Sequence, residues 1–167
     1  MAIALCRAGL NEATIIHEMQ VRAFLPLLNK YLDYETSPAN EPLNRIIHRL
    51  NQTFTDYYLI RLSDINVGAI RIVRKENQVH RVSPIFILPE YQGRGIAQQV
   101  FALIEEKYNN ARKWELDTIA QEKGNCYLYE KLGYQQTGEE KEINHKMSIV
   151  FYEKKLTNTD ATLDCQQ

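Results

Sequence analysis

Ile85-Phe86-Ile87-Leu88-Pro89-Glu90-Tyr91-Gln92-Gly93-Arg94-Gly95-Ile96-Ala97 is the stretch that decides the fold. An apolar run of strand character stops at Pro89, a turn with two glycines follows, and an amphipathic segment then continues to Asn110. A strand that enters a helix through such a turn leaves backbone N–H groups free at the helix N-terminus, beside the positive end of its dipole. Converging donors of that kind bind phosphate. Gly93 and Gly95 let the chain turn sharply and carry no Cβ to hold off an oxyanion. On these residues alone a plain turn is an equal reading. Two nucleotide signatures do not apply: there is no G-x-x-x-x-G-K-[ST], and the third glycine of a G-x-G-x-x-G fingerprint is replaced by Gln98 with no repeating βαβ pattern around it.

A second motif, Leu128-Tyr129-Glu130-Lys131-Leu132-Gly133-Tyr134, follows downstream. Together the two stretches resemble the GNAT N-acetyltransferase superfamily. Gln92, Gly95 and Ala97 occupy the defining places of its Q/R-x-x-G-x-G/A signature, and the second motif is similar to its F-Y-E-K-L-G-F block. With the flanking elements the resemblance spans nearly the whole chain. It implies an α/β (α+β) fold with a mixed, mostly antiparallel sheet of about seven strands flanked by four helices. It also implies acetyl-CoA as cosubstrate. Two mid-sheet strands, ending near Leu88 and Ile119, are expected to splay so that the pantetheine arm mimics a strand between them. The backbone of Ile85, Phe86 and Ile87 would bond that arm, and Gln92, Gly93, Arg94, Gly95, Ile96 and Ala97 would hold the pyrophosphate. Tyr129 matches the family's proton donor to the departing thiolate, although an aromatic packed on a short helix is the ordinary reading for one of ten tyrosines. Asn125 is expected either to contact the cofactor arm or to cap the helix it begins; it lies only four residues before Tyr129, a departure from the usual spacing.

Composition bounds the rest. A chain of 167 residues and 19.5 kDa with 44% apolar residues suits one soluble domain with one core, 1–156, followed by a polar tail, 157–167. Twenty basic against 21 acidic residues give a net charge of −1, which is no footprint for nucleic acid or an anionic membrane. No apolar stretch is long enough to span a bilayer, and the N-terminus reads as a strand rather than a signal peptide. Cys6, Cys126 and Cys165 cannot all pair and match neither a zinc nor a redox spacing, which suits a reducing cytoplasm. The four histidines have no metal-ligand spacing, so no metal is expected.

Periodicity places strands at 2–8, 57–62, 67–74, 79–88, 113–119, 134–140 and 147–154. Helices are expected at 14–24, disturbed by Pro26, from about Asn40 with Pro42 in the first turn, at 96–110, and at 125–132.

Acetyl transfer to an amine needs the ammonium deprotonated, the thioester carbonyl polarised by a strand N–H near Ile87, and the leaving sulfur protonated. For the base the residues leave several candidates open. His80 has a usable pKa but a lone His is more often structural, and Glu115 and Asp117 alternate onto one strand face where both also read as the solvated side. Cys126 lies one helical turn before Tyr129, but no base accompanies it in sequence, so direct attack is favoured over an acetyl-cysteine. Tyr31, Asp33, Tyr34 and Glu35 combine negative charge with aromatic faces suited to a cationic amine, or form a solvated loop. The leading expectation is an enzyme acetylating a primary amine of a small molecule or peptide, as a homodimer. The alternatives are an acyl-CoA sensor without turnover and an acetyltransferase for protein N-termini or lysines.

Overall fold

The computed structural model describes residues 2–156; the expected tail, 157–167, and Cys165 within it lie outside them. Seven strands, β1 (Ile3–Arg7), β2 (Thr55–Leu62), β3 (Ile65–Arg74), β4 (Val79–Ile87), β5 (Lys113–Ile119), β6 (Gln135–Asn144) and β7 (Met147–Lys155), form one sheet in the order β1-β2-β3-β4-β5-β7-β6. Every neighbouring pair is antiparallel except β4 with β5. Four helices, α1 (Ala13–Tyr31), α2 (Leu43–Leu50), α3 (Ile96–Lys107) and α4 (Lys123–Lys131), cover it, so the expected fold class is the observed one.

A sheet covered on both sides needs strands that are apolar on both faces. β2 shows this directly: residues 55–60 are all buried. Tyr58 and Ile60 join one core with Phe101, Trp114, Tyr129 and Tyr152, while Tyr57 and Leu59 join the other with Ile16, Met19 and Ile46.

All four helices depart from their expected bounds, and α3 stops at Lys107 rather than 110 because Tyr108 leaves the helical region. α1 runs through Pro26 to Tyr31. Proline removes one intrahelical bond there, yet Leu28 and Tyr31 beyond it are buried, and that packing carries the helix past the lost donor. α2 starts at Leu43 with Pro42 as its N-cap residue, after a separate 3-10 turn at Pro38–Asn40 that is capped by the Ser37 hydroxyl. α4 starts at Lys123 with Glu122 at the N-cap, so Asn125 does not begin or cap it.

The feature that positions the site is a divergence of β4 from β5. Their parallel pairing covers only Val79, His80 and Arg81 against Lys113, Trp114 and Glu115. Beyond it β4 stays with β3 to Ile87, and β5 stays with β7 to Ile119. The β3–β4 register also slips, with Ile70 opposite Ile85 but Ile72 opposite Val82. Arg71 faces the slipped segment and donates from Nη1 to the Ser83 carbonyl at 2.9 Å and from Nη2 to Gln52 Oε1 at 2.9 Å. The guanidinium thus occupies the bulge that bends β4 away.

Candidate active site

After β4 the chain makes a 3-10 turn at Pro89–Tyr91 and enters α3 through Gly95, whose φ of 76° is left-handed; Gly93 has φ 75°. Non-glycine residues are strained there, although a Cβ at either position would meet nothing within 4 Å. Gln99 N–H is bonded to the Gly95 carbonyl, but among the described residues no hydrogen bond uses the N–H of residues 93–98. Six successive donors at a helix start are therefore available to an anion. The Gln92 side chain is committed differently: its Nε2 donates to the Ile87 carbonyl at 2.9 Å and ties the turn to the end of β4. Arg94 bonds the Glu90 carbonyl at 3.1 Å and lies over the Tyr91 ring, so its side chain serves the turn too.

Strand alternation narrows the expected backbone contacts. Leu88 N–H donates to Val67 on β3, which turns the polar groups of Phe86 toward β3 as well and those of Ile85 and Ile87 toward the gap. Phe86 is thus corrected from a backbone donor to a wall residue, and with the Ile87 carbonyl held by Gln92 the free donors are the N–H groups of Ile85 and Ile87.

Two cavities meet at this gap. One, about 810 Å³, runs along Ile85–Ile87, Gln92, Gly93 and Gly95–Gln98 to Leu128. The other, about 550 Å³, lies between residues 33–42, α2, Val82–Ile85, Leu116–Ile119 and the β6–β7 end. Phe24, Leu27, Ile85, Asn125 and Tyr129 line both. Tyr129 is 8% exposed, with Phe101, Tyr134 and Tyr152 rings about it at 5.8–6.1 Å. No described residue bonds its hydroxyl. Burial, then the charge of Asp117, pushes the phenol well above its ordinary value, so it keeps its proton at neutral pH.

A family model of the acetyltransferase (GNAT) domain matches residues 33–156. This chain belongs to the GNAT acetyltransferase family. No curated protein matches the sequence significantly. Solved structures share the fold at low identity. The ribosomal-protein-S18-alanine N-acetyltransferase of Escherichia coli has a TM-score of 0.75 at 9% identity over 95% of this chain and 98% of that one. Spermidine N-acetyltransferase of Vibrio cholerae, solved with CoA and spermine, gives 0.72 at 16% over 90% and 94%. The PaiA N-acetyltransferase of Thermoplasma acidophilum, solved with coenzyme A, gives 0.69 at 13% over 93% and 100%.

Within this GNAT domain the remaining expected residues separate. Asp117 lines the smaller cavity and is paired with Arg81. Glu115 lines neither cavity and sits among Lys75, Arg81 and Lys113. His80 is at the closed end of β4, its ring edge-on to Tyr108 and Trp114 at 5.3 and 5.2 Å; burial lowers its pKa, and it is remote from both cavities. The strand alternation that makes it inward-facing directs it into the core there. Tyr31 is buried and donates to Glu122 at 2.5 Å, linking α1 to the α4 cap, and Asp33 is held by the N–H and hydroxyl of Thr36; only Tyr34 and Glu35 of that loop line the cavity uncommitted. Cys126 lies outside both linings. The sequence reading did not single out Arg45, Arg49 or Lys141, which line the smaller cavity. The four-residue spacing of Arg45 and Arg49 was the available signal.

Among the described residues no helix is long and apolar enough to cross a membrane, and no cluster of three or more His, Cys, Asp or Glu side chains is arranged to hold a metal.

Proposed function

We propose that this chain is an acetyl-CoA-dependent N-acetyltransferase acting on the primary amine of a small molecule by direct attack in a ternary complex. One observation carries the reading: a slot with free backbone donors and a separate polar cavity join at a protonated, unpartnered Tyr129. The N–H groups of residues 93–98 and the gap-facing Ile85 and Ile87 fit a diphosphate and an amide-bearing arm. When bound, acetyl-CoA supplies an acyl thioester. The Ile87 N–H is then available to polarise a carbonyl oxygen and Asp117, beside its Arg81 partner, to draw in an ammonium group. Once that group has lost one proton to solvent, its nitrogen would bond the acyl carbon as the C–S bond breaks. Tyr129 would protonate the departing sulfur, and the second proton shed by nitrogen would return to the tyrosinate through solvent. Asn125, in both linings, is a further candidate contact. A reducing cytoplasmic setting and a homodimer belong to the same reading.

The test is free-thiol release from acetyl-CoA against a panel of amines, amino acids, polyamines and short peptides. Amine-dependent release that is lost in Tyr129→Phe supports the proposal. Tight coenzyme A binding without release from any acceptor would favour a sensor.

A further inference from the structure

The smaller cavity has a cationic wall. Arg45 and Arg49 lie one turn apart on α2, and both line it. Behind them Arg71 is 8% exposed. Its amino groups reach only the neutral oxygens of Ser83 and Gln52, its Nε has no acceptor, and no carboxylate among the described residues lies within 4.0 Å of it. The Tyr57 hydroxyl is likewise buried without a partner. Arg49 alone has a carboxylate, Glu41 at 2.8 Å. Lowering of the Arg71 pKa, by burial first and then by Arg49, Arg71's nearest cationic neighbour in effect, agrees with guanidiniums crowded behind one carboxylate.

Committed charges elsewhere sharpen the imbalance. Asp33 is held by Thr36, Asp117 by Arg81 and Glu41 by Arg49. What remains without an ionic partner is Arg45, Lys141 and the buried Arg71 on the cationic side, and Glu35 and Asp33, which only the neutral Thr36 bonds, on the anionic side. The cationic groups gather on the α2 side, where Arg45 stands beside Arg49 with Arg71 behind. An unpaired buried guanidinium is costly, and a planar fork of arginine donors matches a carboxylate. The anionic group adjoining Tyr129, by contrast, is Asp117.

We propose that the acceptor carries a carboxylate as well as its amine, as an amino acid or a short amino-carboxylate does, and that Arg45 and Arg49, backed by Arg71, hold that carboxylate while the amine points toward Tyr129. This rests on the acetyltransferase reading and names its substrate class.

Matched acceptors test it: glycine against glycinamide, and 5-aminopentanoate against pentylamine, each followed by thiol release from acetyl-CoA. The acid of at least one pair should show kcat/KM about tenfold or more above its partner, the scale of one charge-assisted hydrogen bond. Arg45→Gln, at an exposed position where folding is preserved, should erase most of that preference and leave the neutral partner's rate nearly unchanged. A second readout needs no turnover: N-acetylglycine, but not N-acetylglycinamide, should raise the melting temperature of the wild type, and less so of Arg45→Gln. Acids and neutral partners acetylated equally, with Arg45→Gln neutral toward both, would overturn the carboxylate site and leave the acetyltransferase standing. A carboxylate-dependent melting shift without acetyl transfer would do the reverse. Neither signal would overturn both.

Discussion

β4 and β5 begin side by side and end apart, and a buried carboxylate held from three sides at one end contrasts with free donors beside a cavity at the other. At the closed end, Asp56 is buried yet bonded by Arg7 at 2.8 Å, Arg74 at 3.1 Å and the Tyr108 hydroxyl at 2.6 Å, with Tyr58 extending the chain at 2.7 Å, while His80 Nδ1 and Trp114 Nε1 are buried in the aromatic packing without a partner. At the open end the N–H groups of residues 93–98 and the Tyr129 hydroxyl have no partner among the described residues. Polar groups paired within the chain stabilise the fold, whereas groups held unpaired beside a cavity are kept for a ligand. One pair of strands therefore separates stability from chemistry along its length.

The largest expected effect is at the closed end. Trp114 is fully buried, so Trp114→Ala should cost about 3–5 kcal/mol by urea unfolding. Coenzyme A affinity of the molecules still folded should hardly change. If the folded variant lost coenzyme A binding, the two ends would not be separable.

Next comes Tyr129→Phe at the open end, which should lower kcat by about 10²-fold or more, the usual contribution of a positioned proton donor. Coenzyme A affinity and stability should stay close to wild type, because the hydroxyl bonds no described residue. Equal rates in the two proteins would remove Tyr129 from the chemistry and return it to core packing with Phe101 and Tyr134.

Gly95→Ala is smaller and sharper. The new Cβ meets nothing within 4 Å, so the cost is conformational: about 1–2 kcal/mol for an L-residue at φ 76°, or roughly a tenfold loss of coenzyme A affinity if the loop relaxes away from it. A calorimetric titration showing wild-type affinity would argue that the converging N–H groups are not the anchor.

The contrast between the two ends was only half legible in the sequence. Local pattern sufficed for the glycine turn at residues 92–97 and for the succession of strands and helices along the chain, because glycines and apolar runs act over a few residues, and the family resemblance of the Leu128–Tyr134 block made Tyr129 a candidate. What it did not carry was the partner of each polar side chain. Tyr31 and Asp33 read as substrate contacts, yet one bonds Glu122 far along the chain and the other closes its own turn. His80 had the right chemistry on the right strand, but lies on the wrong side of the point where β4 and β5 part. Pro26 read as a helix breaker because propensity counts the lost bond and not the burial of Leu28 and Tyr31 beyond it.

His80 provides the smallest test of the same contrast. Burial holds its ring neutral and lowers its pKa from the ordinary value near 6.5, while Asp56 and Arg74 act on it with opposite signs. The unfolded chain therefore takes up a proton near pH 6.5 that the folded chain refuses until more acid is added. The stabilisation is complete above the unfolded value and is lost as pH falls through the folded one. Glu90 and Glu122, both lowered from the carboxylate range, titrate below that window and do not obscure it. Urea midpoints at pH 7.5 and 5.5 should consequently fall further in the wild type than in His80→Phe, which keeps a ring between Tyr108 and Trp114 but cannot be protonated. If His80 were the base for an acceptor amine, the same variant would also flatten the acid limb of kcat/KM. Placed at the closed end, it should leave that limb where it is and change only the stability.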